Sequence, residues 1–477
     1  MALDLKLFNS LTKQKESFVP IKKGVASVYT CGPTVYDRAH LGNFRSYIFA
    51  DILIRALNYN GFATRHIINI TDVGHLTDDA DQGVDKLENR AKKENSTACQ
   101  ISALYTDLFL KDFKKLNLTQ PDKMPRATDH INEQIKMIGE IEKKGFSYKT
   151  KDGVYFDTSK LKDYGKLIGL NPDSLLEGAR VKKNIEKKNL TDFALWKFSS
   201  KNESRQMEWE SPWGIGFPGW HIECSAMSKK YLGFPFDIHT GGVDHKPIHH
   251  TNEIAQNKTI YEKQAVHYWL HNEFMTIQGE RMAKSLKNTF TIEDLEDKNI
   301  HPLAFRYFVL GAHYRTPINF TWDALRGASQ AYTNLILETR RLSARSLSLG
   351  FFRTIKKSFS SVPPHPEWKE RFTRAINDDL NTPLAIGALW DLVKDASISP
   401  EQKLATFLAY DIVLGLDLKN QTKTPPIHSS VKALAKKREN FRRDKNWGVA
   451  DNLRDEINKK GYIIEDTDSG YIIFKGL

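Results

Sequence analysis

The sequence predicts a doubly wound α/β domain with a parallel sheet and an insertion, followed by an α-helical bundle and a small C-terminal domain. Three observations support this. Near the N-terminus an apolar strand, a glycine-containing turn, an amphipathic helix and a second apolar strand follow one another, which is typical of a parallel α/β unit. The same alternation returns near residue 213. From about 320 to 415 the pattern is helical throughout.

The first α/β unit is the most regular part of the chain. Its predicted elements are a strand over 25–30, a helix over 41–60 and a strand over 64–70. Ligands of such folds bind at the carboxyl ends of the strands. We therefore expect Cys31, His40 and Thr71 to lie around one crevice.

The region that follows is expected to be an insertion. We predict a helix that is capped by Ser96 and runs to about Lys115, a helix over 128–144 and a hairpin that turns at Lys151–Gly153. Residues 160–190 are polar and rich in lysine, which favours an insertion over a buried core.

The α/β pattern resumes with a strand that ends in Gly241-Gly242, a helix that carries His249 and Glu253, and a strand over 266–270. The polar stretch 419–430 contains two prolines and is predicted to be a linker. The expected domains are the two halves of the α/β domain at 1–125 and 211–320, the insertion at 126–210, the bundle at 321–417 and the tail domain at 431–477.

Composition narrows the functional classes. The 477 residues carry a net charge of +12, which favours a polyanionic partner such as nucleic acid, although a basic surface without a partner is the alternative. Residues 431–460 hold ten Lys plus Arg against five Asp plus Glu, and a phosphate-contacting helix face or a solvated one would explain this run. Sparse cysteines argue against a disulfide scaffold. No secretory signal or bilayer-spanning run is present, so we expect a cytoplasmic protein without a membrane partner.

Two of the three cysteines are candidate metal ligands. His249 and Glu253 are spaced i and i+4, so both side chains lie on one helical face. Cys31 and Cys224 can join them only through the fold, and two thiolates, an imidazole and a carboxylate suit zinc. Buried inert thiols are the alternative. His250 is expected to point elsewhere, and Cys99 is expected to be a buried structural thiol.

Two further motifs suit a nucleotide. His40-Leu41-Gly42-Asn43 begins a helix, where backbone N–H groups favour phosphate, and His40 and Asn43 can donate hydrogen bonds. In Arg281–Ser285 a loop lysine can neutralise charge on a leaving pyrophosphate. Taken alone, the first motif could be an ordinary helix start and the second a solvated basic loop. The two motifs in this order are more specific than either one. Trp220 could wall a small substrate pocket or belong to the core.

Together these residues resemble the cysteinyl-tRNA synthetases, a family of class I aminoacyl-tRNA synthetases, over nearly the full length. The matching strings are Tyr29–Asp37, Asn69–Val73, Asp192–Lys197, Ser211–Gly214, Gly219–Met227, His249–Gln256 and Asp378–Pro383. The resemblance implies a class I Rossmann-type catalytic domain, a helical bundle that binds tRNA and a tail that binds the anticodon.

The resemblance also implies site residues. It implies one zinc ion per chain on Cys31, Cys224, His249 and Glu253. It implies that the catalytic residues are His40, Asn43 and Lys284, with Thr71 and Trp220 in the cysteine pocket. The residues implied to contact ATP are Gly42, Gly241, Gly242, Asp244, Arg281, Met282, Lys284 and Ser285.

The implied function is the ATP-dependent attachment of L-cysteine to its tRNA through a cysteinyl adenylate, with the substrate thiolate held on zinc and ATP used with Mg²⁺ by a monomer. One alternative is a cysteine ligase that passes the adenylate to a sugar amine, and another is a non-catalytic tRNA-binding paralogue. The tail domain favours the synthetase over the first alternative. The presence of His40, Lys284 and the four candidate ligands argues against the second.

The chain departs from the family pattern at several positions. Arg281 and Ala283 replace the usual Lys and Ser of the loop, and Lys287 replaces a usual Gly. Asn43 replaces a second His, and residues 470–474 differ from the usual C-terminal motif. The positive charge at 281 is kept, so we expect catalysis to survive these changes.

Overall fold

The computed structural model describes residues 4–74, 85–169, 186–199, 205–281, 288–348, 362–423, 427–467 and 470–476. The chain forms two compact units. The N-terminal unit comprises Asp4–Leu295 with Tyr314–Asn319, and the C-terminal unit comprises Glu296–His313 with Phe320–Leu477. No described helix combines the length and the apolar character that crossing a membrane requires.

The N-terminal unit contains the parallel sheet and further sheets with antiparallel strand pairs. The strands of this unit are β1 (Lys6–Asn9), β2 (Gln14–Ser17), β3 (Val25–Thr30), β4 (Ala63–Ile68), β5 (Ser147–Lys149), β6 (Gly153–Phe156), β7 (Phe193–Phe198), β8 (Gly216–Pro218), β9 (Phe236–Gly242), β10 (Val266–Asn272), β11 (Met275–Ile277), β12 (Glu280–Arg281) and β13 (Ile318–Phe320). Its helices are α1 (Leu41–Tyr59), α2 (Lys86–Lys93), α3 (Ala98–Lys115), α4 (Ile131–Lys143), α5 (Trp220–Leu232), α6 (Thr251–Tyr261) and α7 (Ile292–Glu296).

The order of the parallel sheet is β10–β9–β3–β4. β3 pairs in parallel with β4 on one side and with β9 on the other, so that Val28 lies opposite Ile238. The N–H of Cys31 donates to the carbonyl of Thr240 at 3.1 Å, which continues this pairing beyond the strand. Segments about 210 residues apart in sequence therefore end side by side at one edge of the sheet.

The insertion forms its own antiparallel sheet of order β5–β6–β7–β8. Its β6 and β7 side chains are largely buried, and Trp196 is fully enclosed. The predicted hairpin is present between β5 and β6, and it turns at 150–152, one residue earlier than predicted, because Gly153 already belongs to β6. Of the lysine-rich stretch predicted as an insertion, residues 170–185 lie outside the described residues.

The C-terminal unit is mainly helical, as predicted for 320–415. Its elements are α8 (Pro302–Leu310), α9 (Trp322–Ser348), α10 (Pro366–Asn377), α11 (Thr382–Lys394), α12 (Pro400–Leu414), α13 (Leu418–Gln421), α14 (Ser429–Arg443), α15 (Trp447–Lys459), β14 (Tyr462–Thr467) and β15 (Gly470–Lys475). The last two strands form an antiparallel hairpin. Val431 and Ala435 of α14, Ile457 of α15 and Ile464 of β14 form a small core.

Two local predictions are wrong. Thr97, not Ser96, caps α3, because its side chain accepts from the N–H of Gln100 while the Gln100 side chain accepts from the N–H of Thr97. The stretch predicted as a linker from residue 419 begins inside α13, because Leu418 is buried and its N–H donates to the carboxylate of Asp411.

Candidate active site

A cavity of about 390 Å³ lies at the carboxyl ends of β3 and β9. It brings together most of the site residues predicted from the sequence, which are Cys31, His40, Gly42, Asn43, Thr71, Trp220, Cys224, Gly241, Gly242, Asp244 and His249. Glu253 does not line this cavity but lies fully buried beside it. Arg281 ends β12, whereas Met282, Lys284 and Ser285, together with Ala283 and Lys287, lie outside the described residues.

The four predicted metal ligands converge. Cys31, Cys224, His249 and Glu253 are all buried, and their ligand atoms lie within 4.8 Å of one another. Glu253 Oε1 lies 3.1 Å from His249 Nε2, yet it accepts no hydrogen bond from the residues that the structure describes. Since a buried carboxylate oxygen without a donor is costly, this set fits a cation. Thiol, imidazole and carboxylate groups in one tight cluster suit zinc.

A second set of candidate ligands shares two of these residues. Cys31 and Glu253 also lie within 4.8 Å of His239 and His250. The Nε2 atom of His250 is 3.2 Å from Cys31 Sγ, so the prediction that His250 points elsewhere is wrong. The His250 ring faces the cluster because its Nδ1 is 2.7 Å from His271 Nε2. The prediction for Cys99 is also wrong, since this thiol is exposed.

Neighbouring side chains orient His249. Its Nδ1 atom is 3.0 Å from His221 Nδ1, which leaves Nε2 on the side of Glu253. The ring of Trp220 stacks on the His249 ring at a centroid distance of 4.1 Å. Trp220 begins α5 and His221 and Cys224 follow on the same helix. One helix therefore supplies a ligand and two groups that position another ligand.

The surroundings raise the pKa of both thiols. Burial raises the pKa of Cys31 well above its ordinary value, and the neighbouring Cys224 and Glu253 add to this effect. A hydrogen bond with Cys31 acts to lower the pKa of Cys224, but burial and the charge of Glu253 outweigh it and the pKa is raised. A bound cation would reverse this balance, because metal binding requires deprotonated thiols and releases their protons.

His40 caps α1. Its Nδ1 accepts from the N–H of Asn43 at 3.3 Å, and Asn43 Oδ1 accepts from the N–H of His40 at 3.0 Å. Because Nδ1 is an acceptor, the neutral ring carries its proton on Nε2. The first turn of α1 thus presents a defined imidazole N–H donor together with helical N–H groups, which is an arrangement suited to phosphate.

The two glycines that end β9 allow a close approach. A Cβ atom on Gly241 would lie 2.7 Å from His245 Nδ1 and from His250 Cε1, and one on Gly242 would overlap the carboxylate of Asp244. Both glycines line the cavity. A side chain at either position would therefore push against the cavity wall.

Sequence reasoning did not single out several residues of this site. Lys86 and Lys197 line the cavity, and Lys197 is paired with Asp152 at 2.7 Å. Asn69 contacts three parts of the site through one amide. Its place directly after β4, the strand next to β3, was the signal available, because polar residues that follow adjacent parallel strands meet at one edge.

Comparisons with known proteins cover nearly the whole chain. Residues 17–330 match the family model described as tRNA synthetases class I (C) catalytic domain. Residues 371–419 match the DALR domain, and residues 424–471 match the Cysteinyl-tRNA ligase anticodon binding domain.

Relatives that match over nearly the full length are cysteine–tRNA ligases. The chain is 43% identical over 474 residues to Cysteine–tRNA ligase 1 of Burkholderia lata, which covers 99% of this chain and 97% of the relative. It is 39% identical over 482 residues to the Cysteine–tRNA ligase of Treponema denticola, with 97% and 98% covered.

Solved structures show the same fold at low identity. A Mycobacterium tuberculosis methionyl-tRNA synthetase in complex with methionyl-adenylate aligns with a TM-score of 0.56 at 14% identity, over 83% of this chain and 91% of that one. A LeuRS of Agrobacterium radiobacter K84 aligns with a TM-score of 0.61 at 12% identity, over 86% and 87%. The predicted α/β fold followed by helical domains is confirmed.

Proposed function

The chain belongs to the cysteine–tRNA ligase family of class I tRNA synthetases, and from that premise we propose that it joins L-cysteine to its tRNA through a cysteinyl adenylate, with the substrate thiolate held at a zinc site. The family acts on a tRNA, an amino acid and ATP. One observation supports the adenylate and zinc parts of this proposal most directly. The same cavity is lined by three candidate zinc ligands and by the first turn of α1, namely Cys31, Cys224 and His249 together with His40, Gly42 and Asn43.

The zinc ligands would be Cys31, Cys224, His249 and Glu253. When bound there, zinc supplies a thiophilic Lewis acid that prefers a thiolate to the alcohol of serine. The chain's own residues enclose and orient this position, since all four ligands are buried and His221 and Trp220 contact the His249 ring. Thr71 and Trp220 would form the walls that receive the amino acid.

The proposed ATP site lies at the start of α1. His40 Nε2–H donates to a phosphate oxygen while the cysteine carboxylate attacks the α-phosphate and pyrophosphate leaves. Lys284 is proposed to neutralise the leaving charge, with Arg281, Met282 and Ser285 in the same loop and Mg²⁺ on ATP. Asn43 braces His40 through the cap. Catalysis by such positioned donors needs no protein nucleophile.

Gly241, Gly242 and Asp244 are proposed to hold the adenosine, because the glycines leave room for a flat base against the backbone. In the second step the 2′-hydroxyl of the terminal tRNA adenosine attacks the adenylate carbonyl and AMP leaves. The basic domain at 431–477 is proposed to bind the anticodon. Its helix α14 carries Lys436, Lys437, Arg442 and Arg443, which can contact phosphates. That the enzyme is a monomer remains a prediction.

The match of residues 424–471 to an anticodon-binding domain supports tRNA, rather than a sugar amine, as the acceptor. The decisive experiment measures cysteine-dependent exchange of pyrophosphate into ATP, charging of tRNA with labelled cysteine, and zinc per chain. We expect exchange, charging and one zinc ion. Exchange without charging would favour the sugar-amine ligase. No exchange would leave a tRNA-binding paralogue.

A further inference from the structure

One buried amide, the side chain of Asn69, joins three parts of the site. It lies directly after β4 and is 1% exposed. Its Oδ1 accepts from the N–H of Gly32 at 2.8 Å, and the Cys224 thiol donates to the same oxygen at 3.7 Å. Its Nδ2 donates to Thr71 Oγ1 at 2.9 Å. It therefore contacts the loop after Cys31, a candidate metal ligand and the candidate amino-acid pocket.

The orientation of this amide is not free. Because the N–H of Gly32 is a donor, only the oxygen of the amide can face it, and Nδ2 must then face Thr71. Thr71 Oγ1 accepts this bond, so its proton is directed to Glu223 Oε2 at 3.1 Å. The rotamer of Thr71 is thus set from both sides by buried groups.

The backbone around Asn69 is also constrained. The N–H of Ile70 donates to the carbonyl of Pro125 at 2.8 Å, and the N–H of Thr71 donates to the carbonyl of Pro33 at 3.0 Å. A Cβ atom on Gly32 would overlap the Asn69 carbonyl, so the two segments touch backbone to backbone. The amide is therefore a fixed reference point between the loop after β3 and helix α5.

We propose that Asn69 is a positioning residue that holds the loop after Cys31, through the Gly32 N–H, together with the side chain of Thr71, and so couples the metal site to the amino-acid pocket. This inference rests on the proposed function. Substitution of a residue that orients a metal ligand without itself binding the metal lowers metal affinity by about 10- to 100-fold. A lost hydrogen bond to Thr71 changes substrate affinity by about two- to tenfold.

The informative variant is Asn69→Asp, which keeps the shape of the side chain. It replaces the Nδ2 donor by an acceptor and places a negative charge near Cys224 Sγ, where that charge opposes a thiolate. We expect zinc affinity, measured by competition with a chromophoric chelator, to fall about 10- to 100-fold. We expect the KM for cysteine in pyrophosphate exchange to rise about two- to tenfold, with the KM for ATP within about twofold of the parent.

Two further variants keep the test sound. Asn69→Ala removes all three side-chain contacts, to Gly32, Cys224 and Thr71, without adding charge. It is used in the same assays if Asn69→Asp does not fold. The control is Asn9→Ala, which removes another amide of 1% exposure whose bonds to Leu11 and Trp269 lie away from the cavity. It should lower the melting temperature and leave zinc affinity and the KM for cysteine unchanged.

The outcomes separate this inference from the proposed function. If the parent enzyme binds no zinc and does not exchange pyrophosphate with cysteine, the proposed function fails. If the parent does both, three results overturn the role of Asn69. The first is unchanged zinc affinity and cysteine KM, the second is a change in only one of them, and the third is an equal rise in the KM for ATP.

Discussion

Mild acid should destabilise the N-terminal unit through His66, a buried residue of β4. Its Nε2 is 2.9 Å from Thr30 Oγ1, and its Nδ1 has no hydrogen-bond partner among the described residues. Burial lowers the pKa of His66 to about 4, and the charges of Asp51 and Asp122, which act to raise it, do not compensate. The folded protein therefore holds this imidazole neutral at pH values where the unfolded chain protonates it.

The sign and size of the effect follow from proton linkage. The folded pKa is depressed, so the stability is fully present above the unfolded pKa of about 6.5 and is lost as the pH falls through the folded value. At pH 5 the unfolded state gains about 2 kcal/mol from protonating this group, and below pH 4 the difference approaches about 3.4 kcal/mol. Other groups add their own pH dependence.

The substitution His66→Gln isolates the contribution. Gln has no group that titrates in this range, and its amide can still bond Thr30. We expect the free energy of unfolding of the variant, from urea titrations, to fall by about 2 kcal/mol less than that of the parent between pH 7.5 and pH 5. Every other titrating group is common to both proteins, so it cancels in this difference.

Parallel stability curves would refute the reasoning. If parent and variant lose the same free energy within about 0.5 kcal/mol over this pH range, His66 is protonated in the folded protein or water reaches it. A direct check is the carbon-13 chemical shift of the labelled imidazole, which should show a neutral ring at pH 5. A charged ring at that pH would contradict the burial argument independently of stability.

Three other predictions concern the site and the tail. Cys224→Ser should abolish stoichiometric zinc and raise the Kd for cysteine much more than that for ATP, and equal effects on both by calorimetry would contradict its role as a ligand. Lys284→Ala should lower the kcat of pyrophosphate exchange with little change in KM, because the role proposed for this lysine is to neutralise charge that develops in the transition state; a change in KM alone would point to ground-state binding. Arg438 is 1% exposed and donates twice to Asp466, at 2.7 and 3.1 Å. Arg438→Ala should therefore cost the C-terminal unit about 1.5–3 kcal/mol in thermal unfolding, and an unchanged melting temperature would be inconsistent with this pair.

Local elements were predictable where one periodic pattern dominates. The strand predicted over 25–30 is β3, and the predicted helix over 41–60 is α1, which ends one residue earlier. The cap of α3 was misassigned because Ser96 and Thr97 are both good caps, and the choice depends on the reciprocal bonds of Gln100, which also accepts from Ser96 Oγ. Neighbouring residues of equal propensity cannot be separated by sequence spacing.

Helical periodicity predicted only part of the metal cluster. His249 and Glu253 were predicted as a pair because i and i+4 share a helical face. The place of His250 was mispredicted, because the chain makes a π-helical turn over Lys246–His250 before α6. That turn brings His250 within 3.2 Å of Cys31, while His271 on β10 fixes the ring from its other side. Neither contact follows from helical periodicity.

The sequence by itself determined the family and the α/β class, because these follow from local strings and short-range periodicity. The resemblance to that family then named the four candidate ligands. Only the tertiary structure decided that Cys31, directly after β3, and Cys224, on α5, meet, since this depends on α5 packing against β3 although the two segments are far apart in sequence. It also decided that Asn69 joins the two. Contacts between distant segments depend on how the sheet is ordered, and strand order is a property of the packed core rather than of any single segment.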